Sequence, residues 1–463
     1  MNYKLWASVI CVTMLSVNIE ATSLRDSVDA TVNINPDVMA ENFKRKAHKI
    51  NVDIQEGDYY PTIDFTGYIE ASETKYNLDD NSKQDGDKDG WNTSLKIEQM
   101  LYDGGKTPNE VELYKNRYKN VKFTSEDKVE KLVLDTVNKY TALVLSQELI
   151  SLDKFKVKVH KKYLKLAEKK EEISGEILDR YEVDSKIKSI QDDIIKEELY
   201  QQKNRSGYTR LTGIELDGNI CRPIINDSLI PLTLEETIDL AMKENREINA
   251  QDSLIKEHES KVLVEGARYK PDLKLQLQGE WDDDLAEPEN GRRDIYRARL
   301  ISNWNLYNGG KDKLSKERER IFLLEQRKIL DAIKDDVSDS VRNSYDSYIK
   351  IQDRLENLKS FIEDNKKIVE IYNQQLVDGS RTFIDVLNAE TELFRTRLLY
   401  VETEFSLYDE YYNILYNLNM LSDSILSEEN QVCTPYVLDE SELEIKKELS
   451  ITDDELAKEL ELE

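Results

Sequence analysis

The sequence predicts an α/β membrane protein in which alternating strands lead into very long helices, the whole built as an internal tandem duplication. Three observations predict it: the placement of Gly and Pro, a period-2 alternation in four short segments, and a self-similarity between the two halves of the chain.

The 463 residues include 16 Gly and 8 Pro, and their positions matter more than their number. No Pro falls between Pro108 and Pro223 or between Pro288 and Pro435; Gly175 is the only Gly within 106–205, and Gly379 the only one after Gly310. Pro breaks a helix interior and Gly weakens it, so both stretches read as long helical hairpins turning at their single Gly. Helices over Lys106–Ile173 and Lys311–Leu376 would each be about 100 Å long at ~1.5 Å per residue. Ile329, Ile333, Val337, Val341, Tyr345, Tyr348, Leu355, Leu358 and Ile362 recur every three to seven residues and predict one buried seam, with Lys and Glu on the solvated faces.

The strands alternate cleanly. Ile63, Phe65, Gly67 and Ile69 oppose Asp64, Thr66, Tyr68 and Glu70; Trp91, Thr93, Leu95 and Ile97 oppose Asn92, Ser94, Lys96 and Glu98. In the second half Leu273, Leu275, Leu277 and Trp281 oppose Lys274, Gln276, Gln278 and Glu280, while Tyr296, Ala298, Leu300 and Trp304 oppose Arg297, Arg299, Asn303 and Asn305. Segments of ~10 alternating residues with aromatics near their ends fit an outer-membrane barrel. Taken alone they also fit a soluble amphipathic sheet. Because the smallest membrane barrels need ~8 strands, four strands per chain require several chains to share one barrel.

The duplication is legible at four landmarks in one order. Leu24–Val38 matches Leu234–Ile248, Tyr59-Tyr60-Pro61 matches Tyr269-Lys270-Pro271, Leu101–Lys106 matches Leu306–Lys311, and Gly175 matches Gly379. Residues 22–230 and 231–430 therefore read as two structural repeats. Each would carry one helix of some twenty residues, two strands flanking a loop, and a long hairpin. Residues 1–21, with Lys4 before the apolar run Leu5–Val17, read as a signal peptide, and the set 431–463 as an acidic tail.

Charge excludes further classes. With 93 acids against 65 Lys+Arg, a net charge of −28 repels phosphate backbones, so no nucleic-acid partner is expected. Gly104-Gly105-Lys106-Thr107 lacks the earlier Gly of a phosphate-binding loop. His48, His160 and His258 have no metal spacing and read as surface residues. Asp85, Asp87 and Asp89 match the first half of a calcium loop, but Lys96 stands where a closing Glu belongs, which makes a weak site inside a hydrated loop. Cys221 and Cys433, at the ends of the two repeats, could form a disulfide or stay separate thiols. No convergent polar residues suggest an enzyme.

The order of these parts resembles the TolC family of outer-membrane efflux and secretion channels. The resemblance rests on Gln99–Gly105, its copy Trp304–Gly310, and above all Gly379-Ser-Arg381-Thr382-Phe-Ile384-Asp385-Val386-Leu387-Asn388-Ala389, which is similar to the family's Gly-x-x-[ST]-x-x-Asp-Val-Leu-x-Ala turn. It implies a homotrimer whose twelve-stranded barrel, four strands per chain, continues as a long α-helical periplasmic barrel in the outer membrane of a Gram-negative bacterium. It further implies a periplasmic adaptor and an inner-membrane transporter as partners, outer-membrane lipid around the barrel, no cofactor, and passive conduction of solutes or polypeptides. The alternative is a periplasmic coiled-coil adaptor, which would explain the hairpins but not the strands.

The resemblance also locates a gate. Gly175 and Gly379 mark the hairpin tips, and Gly104, Gly105, Gly309 and Gly310 the passage from barrel to tunnel. Asp385 falls on the motif's acid; the second acidic position of some members is Asn388 here. Arg381 occupies the basic position that ties the closed state, although the supporting tyrosine is Leu376. In the first repeat the Asp-Val step is recovered as Glu182-Val183 with one extra residue. The competing reading of Asp385 is a helix-start acid favoured by the helix dipole.

Overall fold

The computed structural model describes residues 22–77, 83–216, 220–283, 285, 291–377 and 379–427, the side chains of 74–77, 83–88 and 377 excepted. The signal peptide, the acidic tail and Cys433 lie outside the described residues.

Each repeat opens on a helix pair, α1 (Leu24–Ile34) and α2 (Pro36–Glu56) in the first and α5 (Leu234–Glu244) and α6 (Arg246–Ala267) in the second. The sequence reading had one helix in each place. An Asn divides it: the side-chain oxygen of Asn35 accepts from Asp37 N at 2.8 Å, and that of Asn245 accepts from Glu247 and Ile248 N at 3.0 and 3.2 Å. Each is an N-cap that satisfies amides a continuous helix would have bonded backwards.

Four strands follow in two hairpins: β1 (Thr62–Asn77) with β2 (Lys83–Tyr102), and β3 (Asp272–Asp283) with β4 (Arg292–Asn303). They form one antiparallel sheet in the order β1-β2-β3-β4, leaving β1 and β4 as edges. The first hairpin is longer than its apolar alternation suggested, because the ladder runs on through Ala71↔Asp89, Glu73↔Asp87 and Lys75↔Asp85. This corrects the calcium-loop reading of Asp85, Asp87 and Asp89. They sit in an extended strand, not in the tight turn that converging ligands require. Only the side chain of Asp89 is among those described, and it is exposed.

The long helices α3 (Lys106–Ser174) and α7 (Lys311–Val377) begin directly after the Gly pairs and turn at Gly175 and Gly379 into α4 (Leu178–Thr212) and α8 (Phe383–Asn417). A short α9 (Leu421–Ser427) ends the described chain. Seam residues Val337, Val341, Tyr345, Tyr348 and Leu358 are buried, but Ile329 is exposed, as are Leu314, Ile321 and Leu324 on the same helix. That stretch of α7 has an apolar face left uncovered among the described residues.

Two compact units each draw on both repeats. One comprises residues 39–129 and 238–340 and holds the sheet; the other comprises residues 1–38, 130–237 and 341–463 and holds the hairpin tips. In the sheet-bearing unit, Arg117 pairs with Glu257 at 2.8 Å, Asn120 donates to Ala250 O at 2.8 Å and Gln251 to Gln326 O at 2.9 Å. The tip-bearing unit buries Tyr140, Leu143, Tyr208, Leu211, Ile414, Leu415, Leu418 and Leu421. Several of its polar interior groups are paired: Ser27 with Tyr208 at 2.7 Å, Thr31 with Thr136 at 2.9 Å, and Tyr140 onto Cys221 O at 2.7 Å. Cys221 is disulfide-bonded, with its partner outside the described residues. Arg222 beside it donates to Glu148 through two nitrogens and to Glu404 at 3.0 Å.

The strand-to-helix passage separates the repeats. A bulge between Met100 and Tyr102 bends β2, and Asp103 accepts from Gly105 N at 3.0 Å and Thr107 N at 2.6 Å, capping α3. Gly104 and its counterpart Gly309 both hold positive φ, +75° and +61°. A Cβ on Gly104 would lie 2.7 Å from Ala267 O, whereas one on Gly309 meets nothing within 4 Å among the described residues. Gly309→Ala should therefore cost ~1 kcal/mol, the left-handed backbone alone, and Gly104→Ala distinctly more. Unfolding of the two variants in detergent, followed by circular dichroism, checks the order; equal losses would mean the close approach at Gly104 carries no weight.

Candidate functional site at the hairpin tips

In the second tip, Thr382 is the N-cap of α8 and Asp385 its third residue. Asp385 Oδ2 accepts from Thr382 Oγ1 at 2.8 Å and Thr382 N at 3.1 Å, and Asp385 N donates to Thr382 Oγ1 at 3.3 Å. This capping box gives Asp385 the helix-start role weighed against the gate. Asp385 is half-buried, and the Thr382 hydrogen bonds, with the nearby Arg381 charge, hold its carboxylate below the usual aspartate range.

Arg381 Nε donates to Gln375 Oε1 at 3.2 Å, and its guanidinium lies 4.4 Å from the Tyr372 ring centroid. A tyrosine thus supports Arg381 after all, one helical turn before Leu376. Leu376 itself packs against the apolar cluster beneath the tip. Asn388 accepts from Lys186 Nζ at 3.0 Å, linking α4 to α8. Glu182 is half-buried on α4 beside buried Val183, with no hydrogen bond or ion pair among the described residues.

The first tip is built differently. Its N-cap position, Ile177, makes no side-chain cap bond. Instead Lys170 reaches Asp179 at 2.9 Å and Glu176 at 2.8 Å, and Arg180 pairs with Glu171. Ile173, Ile177, Leu178 and Tyr181 are exposed around it.

Beneath the tips, Val159, Tyr163, Ala167, Val183, Ile187, Phe383, Val386, Leu387 and Phe394 form one apolar cluster from α3, α4 and α8. Inside it lies a polar group that sequence reasoning missed. Tyr163 OH is 3.2 Å from Glu390 Oε1 and 3.4 Å from Asn373 Oδ1, and all three residues are buried. Burial pushes the Glu390 carboxyl up to about 7, against the smaller lowering effect of the Tyr163 bond and the Arg397 and Lys162 charges. One signal was available: Asn365 and Asn373 follow Leu358 at seam spacing, where an apolar residue belongs. His160, expected on the surface, is fully buried on α3, its Nδ1 3.0 Å from Lys156 O, and burial pushes it down to about 4. His258 is also largely buried, near Glu319. Both helices are packed on the face that carries these histidines, which polarity alone did not reveal. No group of three potential ligands could hold a metal ion among the described residues.

Where the strands meet the helices, Tyr59, Tyr60, Tyr102, Tyr269, Trp304 and Tyr307 are exposed. Trp304, expected inside β4, falls just after it and donates to Tyr269 O at 3.2 Å. Such a belt of aromatics is what a lipid-water boundary selects.

The chain matches the Outer membrane efflux protein family over residues 28–213 and 237–415. It belongs to that family, and it is an outer-membrane channel protein of the efflux type. No curated protein matches the sequence significantly. Among solved structures, it is similar to the Campylobacter jejuni CmeC outer membrane channel, with a TM-score of 0.75 and 14% identity over 93% of this chain and 96% of that one. VceC of Vibrio cholerae gives 0.75 and 13% over 85% and 95%, and the open state of the Neisseria gonorrhoeae MtrE channel 0.68 and 13% over 86% and 89%. At these identities the structural likeness speaks for the fold.

Glu390 sets a pH dependence with a definite sign. Its folded carboxyl holds its proton to about pH 7, against an ordinary value of 4.5, so the native state binds more protons between those limits. Stability contributed by the neutral acid is therefore full below pH 4.5 and lost as pH rises through 7. Glu390→Gln should gain about 2–4 kcal/mol at pH 8 and nothing near pH 4, flattening the profile. Melting temperatures of both proteins across pH 4–8 check this.

Proposed function

We propose that three copies of this chain close one twelve-stranded barrel in the outer membrane and that their helices form a periplasmic tunnel. Docked to a periplasmic adaptor and an inner-membrane transporter, the assembly conducts solutes or polypeptides passively outward. The observation that carries this reading is the sheet. Its one face is apolar and uncovered, with Ile63, Phe65 and Ile69 at 66%, 71% and 89% exposure, and its other face is laced with charges. Ile63, Ile97, Leu277 and Ala298 form one apolar row; Asp64, Lys96, Gln278 and Arg297 form a polar one. Trp281 folds over Gly279, where a Cβ would meet its ring at 2.8 Å, and donates to Tyr296 OH at 3.1 Å. A soluble adaptor has no use for such a face, whereas lipid covers it.

At the tips, Asp385 supplies one carboxylate per chain to a ring that narrows the tunnel, with Arg381 on Tyr372 and Gln375 holding the turn and Lys186–Asn388 tying the neighbouring helix. Like charges in a narrow pore draw cations and bind multivalent ones most tightly. Asp385→Asn keeps an acceptor for Thr382 while removing the charge. In planar bilayers it should shift the channel from cation preference toward none and weaken block by multivalent cations; unchanged selectivity would remove Asp385 from the gate. Loss of the gene should leave inner-membrane and adaptor components intact while abolishing export, read as accumulation of a toxic compound or absence of a secreted protein.

A further inference from the structure

On the charged face of the sheet, most side chains find partners within the chain. Lys96 reaches Asp64 at 3.4 Å and Glu98 at 3.8 Å, Lys274 reaches Glu98 at 2.8 Å, Arg297 reaches Glu280 at 2.6 Å, and Arg293 reaches Asp282 at 2.8 Å. Two charges on this face are exposed and have no hydrogen bond or ion pair among the described residues: Glu70 and Arg299. They lie on opposite edge strands, β1 and β4. The edges are also opposite in sign. β4 carries Arg292, Arg293, Arg297 and Arg299 against Asp294, while β1 carries Asp64, Glu70 and Glu73 against Lys75.

The register of the ladder says where these edges would meet. The row Thr62–Glu98–Gln276–Arg299 starts at the first residue of β1 and reaches β4 four residues before its last, Asn303. With strand ends held at one membrane level, three strand steps climb four residues. A fourth equal step brings the climb to between five and six. Polar must continue onto polar across the joint, which pairs odd positions of β4 with even positions of β1 and selects six. Six residues over four strands, at a rise of ~3.3 Å and a spacing of ~4.8 Å, give a tilt of about 45°, at the upper end of the usual barrel range.

We propose that β4 pairs with β1 of a second copy of this chain, with Arg299 level with Tyr68 and Arg297 level with Glu70 of that copy. Arg297 and Arg299 then clasp this one acid from directly across and from the diagonal, the two positions from which long side chains interact across strands. The contact sets which edges join and in which register, so a barrel grows head to tail and closes. It rests on the shared-barrel reading above.

Cysteine pairs in the full-length protein test the register in the outer membrane. Tyr68→Cys with Arg299→Cys should give a disulfide-linked ladder of chains under mild oxidation. Cross-linking of Thr66→Cys with Arg299→Cys instead, or of neither pair, while the wild type still migrates as an oligomer, overturns the proposal and leaves the shared barrel standing. A wild-type protein that is monomeric in detergent and in membranes overturns the shared barrel itself. Charge reversal tests the clasp. Arg299→Glu and Glu70→Arg should each lower the temperature at which the oligomer dissociates in dodecyl sulfate. Combining them should recover part of that loss; a double variant no better than the worse single one would refute the ion pair.

Discussion

Lipid offers no hydrogen bonds, and the strands, from which the rest of the chain hangs, are governed by that single constraint. Every strand amide inside a bilayer needs a protein partner, and an open sheet leaves two rows without one. A four-stranded sheet with an apolar face is therefore an unfinished object. Its apolar side asks for hydrocarbon, its edges ask for more strand, and its charged side asks for water. The long helices answer a different demand. With no lipid around them, they bury a narrow seam and leave Lys and Glu to the solvent, as the mostly exposed ion pairs along α4 and α7 show. Such pairs contribute little stability; they keep the surface soluble.

Order within the helical part comes from polar groups placed where apolar ones would suffice. Ser27 with Tyr208, Thr31 with Thr136, Asn365 with Thr396, and Tyr163 between Asn373 and Glu390 all join different helices inside the interior. An apolar seam tolerates sliding by a turn, because one Leu resembles the next. A buried hydroxyl does not, since a shifted register leaves it unpaired at a cost of about 1–3 kcal/mol. Arg222 with Glu148 and Glu404 acts in the same sense next to the Cys221 disulfide, and removing one partner of such a buried pair costs more than the pair contributes.

Much of the architecture was legible in the sequence because it depends on residues with few alternatives. Glycines at positive φ fixed both strand-to-helix passages and both tips, and Gly/Pro exclusion fixed the long helices to within a residue or two. Strand faces followed from alternation. What was not legible depended on partners distant in sequence. The breaks at Asn35 and Asn245 look like any helical Asn until their side chains turn back on the next amides. Asp385 carries a motif signature that cap and gate share. Tyr372 and Gln375 support Arg381 across a turn whose shape the sequence does not state. Glu390 and His160 belong to ordinary charged helices and become buried only because three helices close around them.

The two tips hold their shape by different forces. The second is closed by short-range hydrogen bonds between Thr382 and Asp385, which dissolved ions hardly affect. The first relies on Lys170 with Glu176 and Asp179, and on Arg180 with Glu171; Asp179 is buried, whereas the other four side chains are partly open to water. Exposed ion pairs weaken as the Debye length shrinks, from ~10 Å at 0.1 M salt to ~3 Å at 1 M. Rising ionic strength therefore acts on the two tips unequally: it weakens the exposed pairs Lys170–Glu176 and Arg180–Glu171 of the first and hardly touches the Thr382–Asp385 hydrogen bonds of the second.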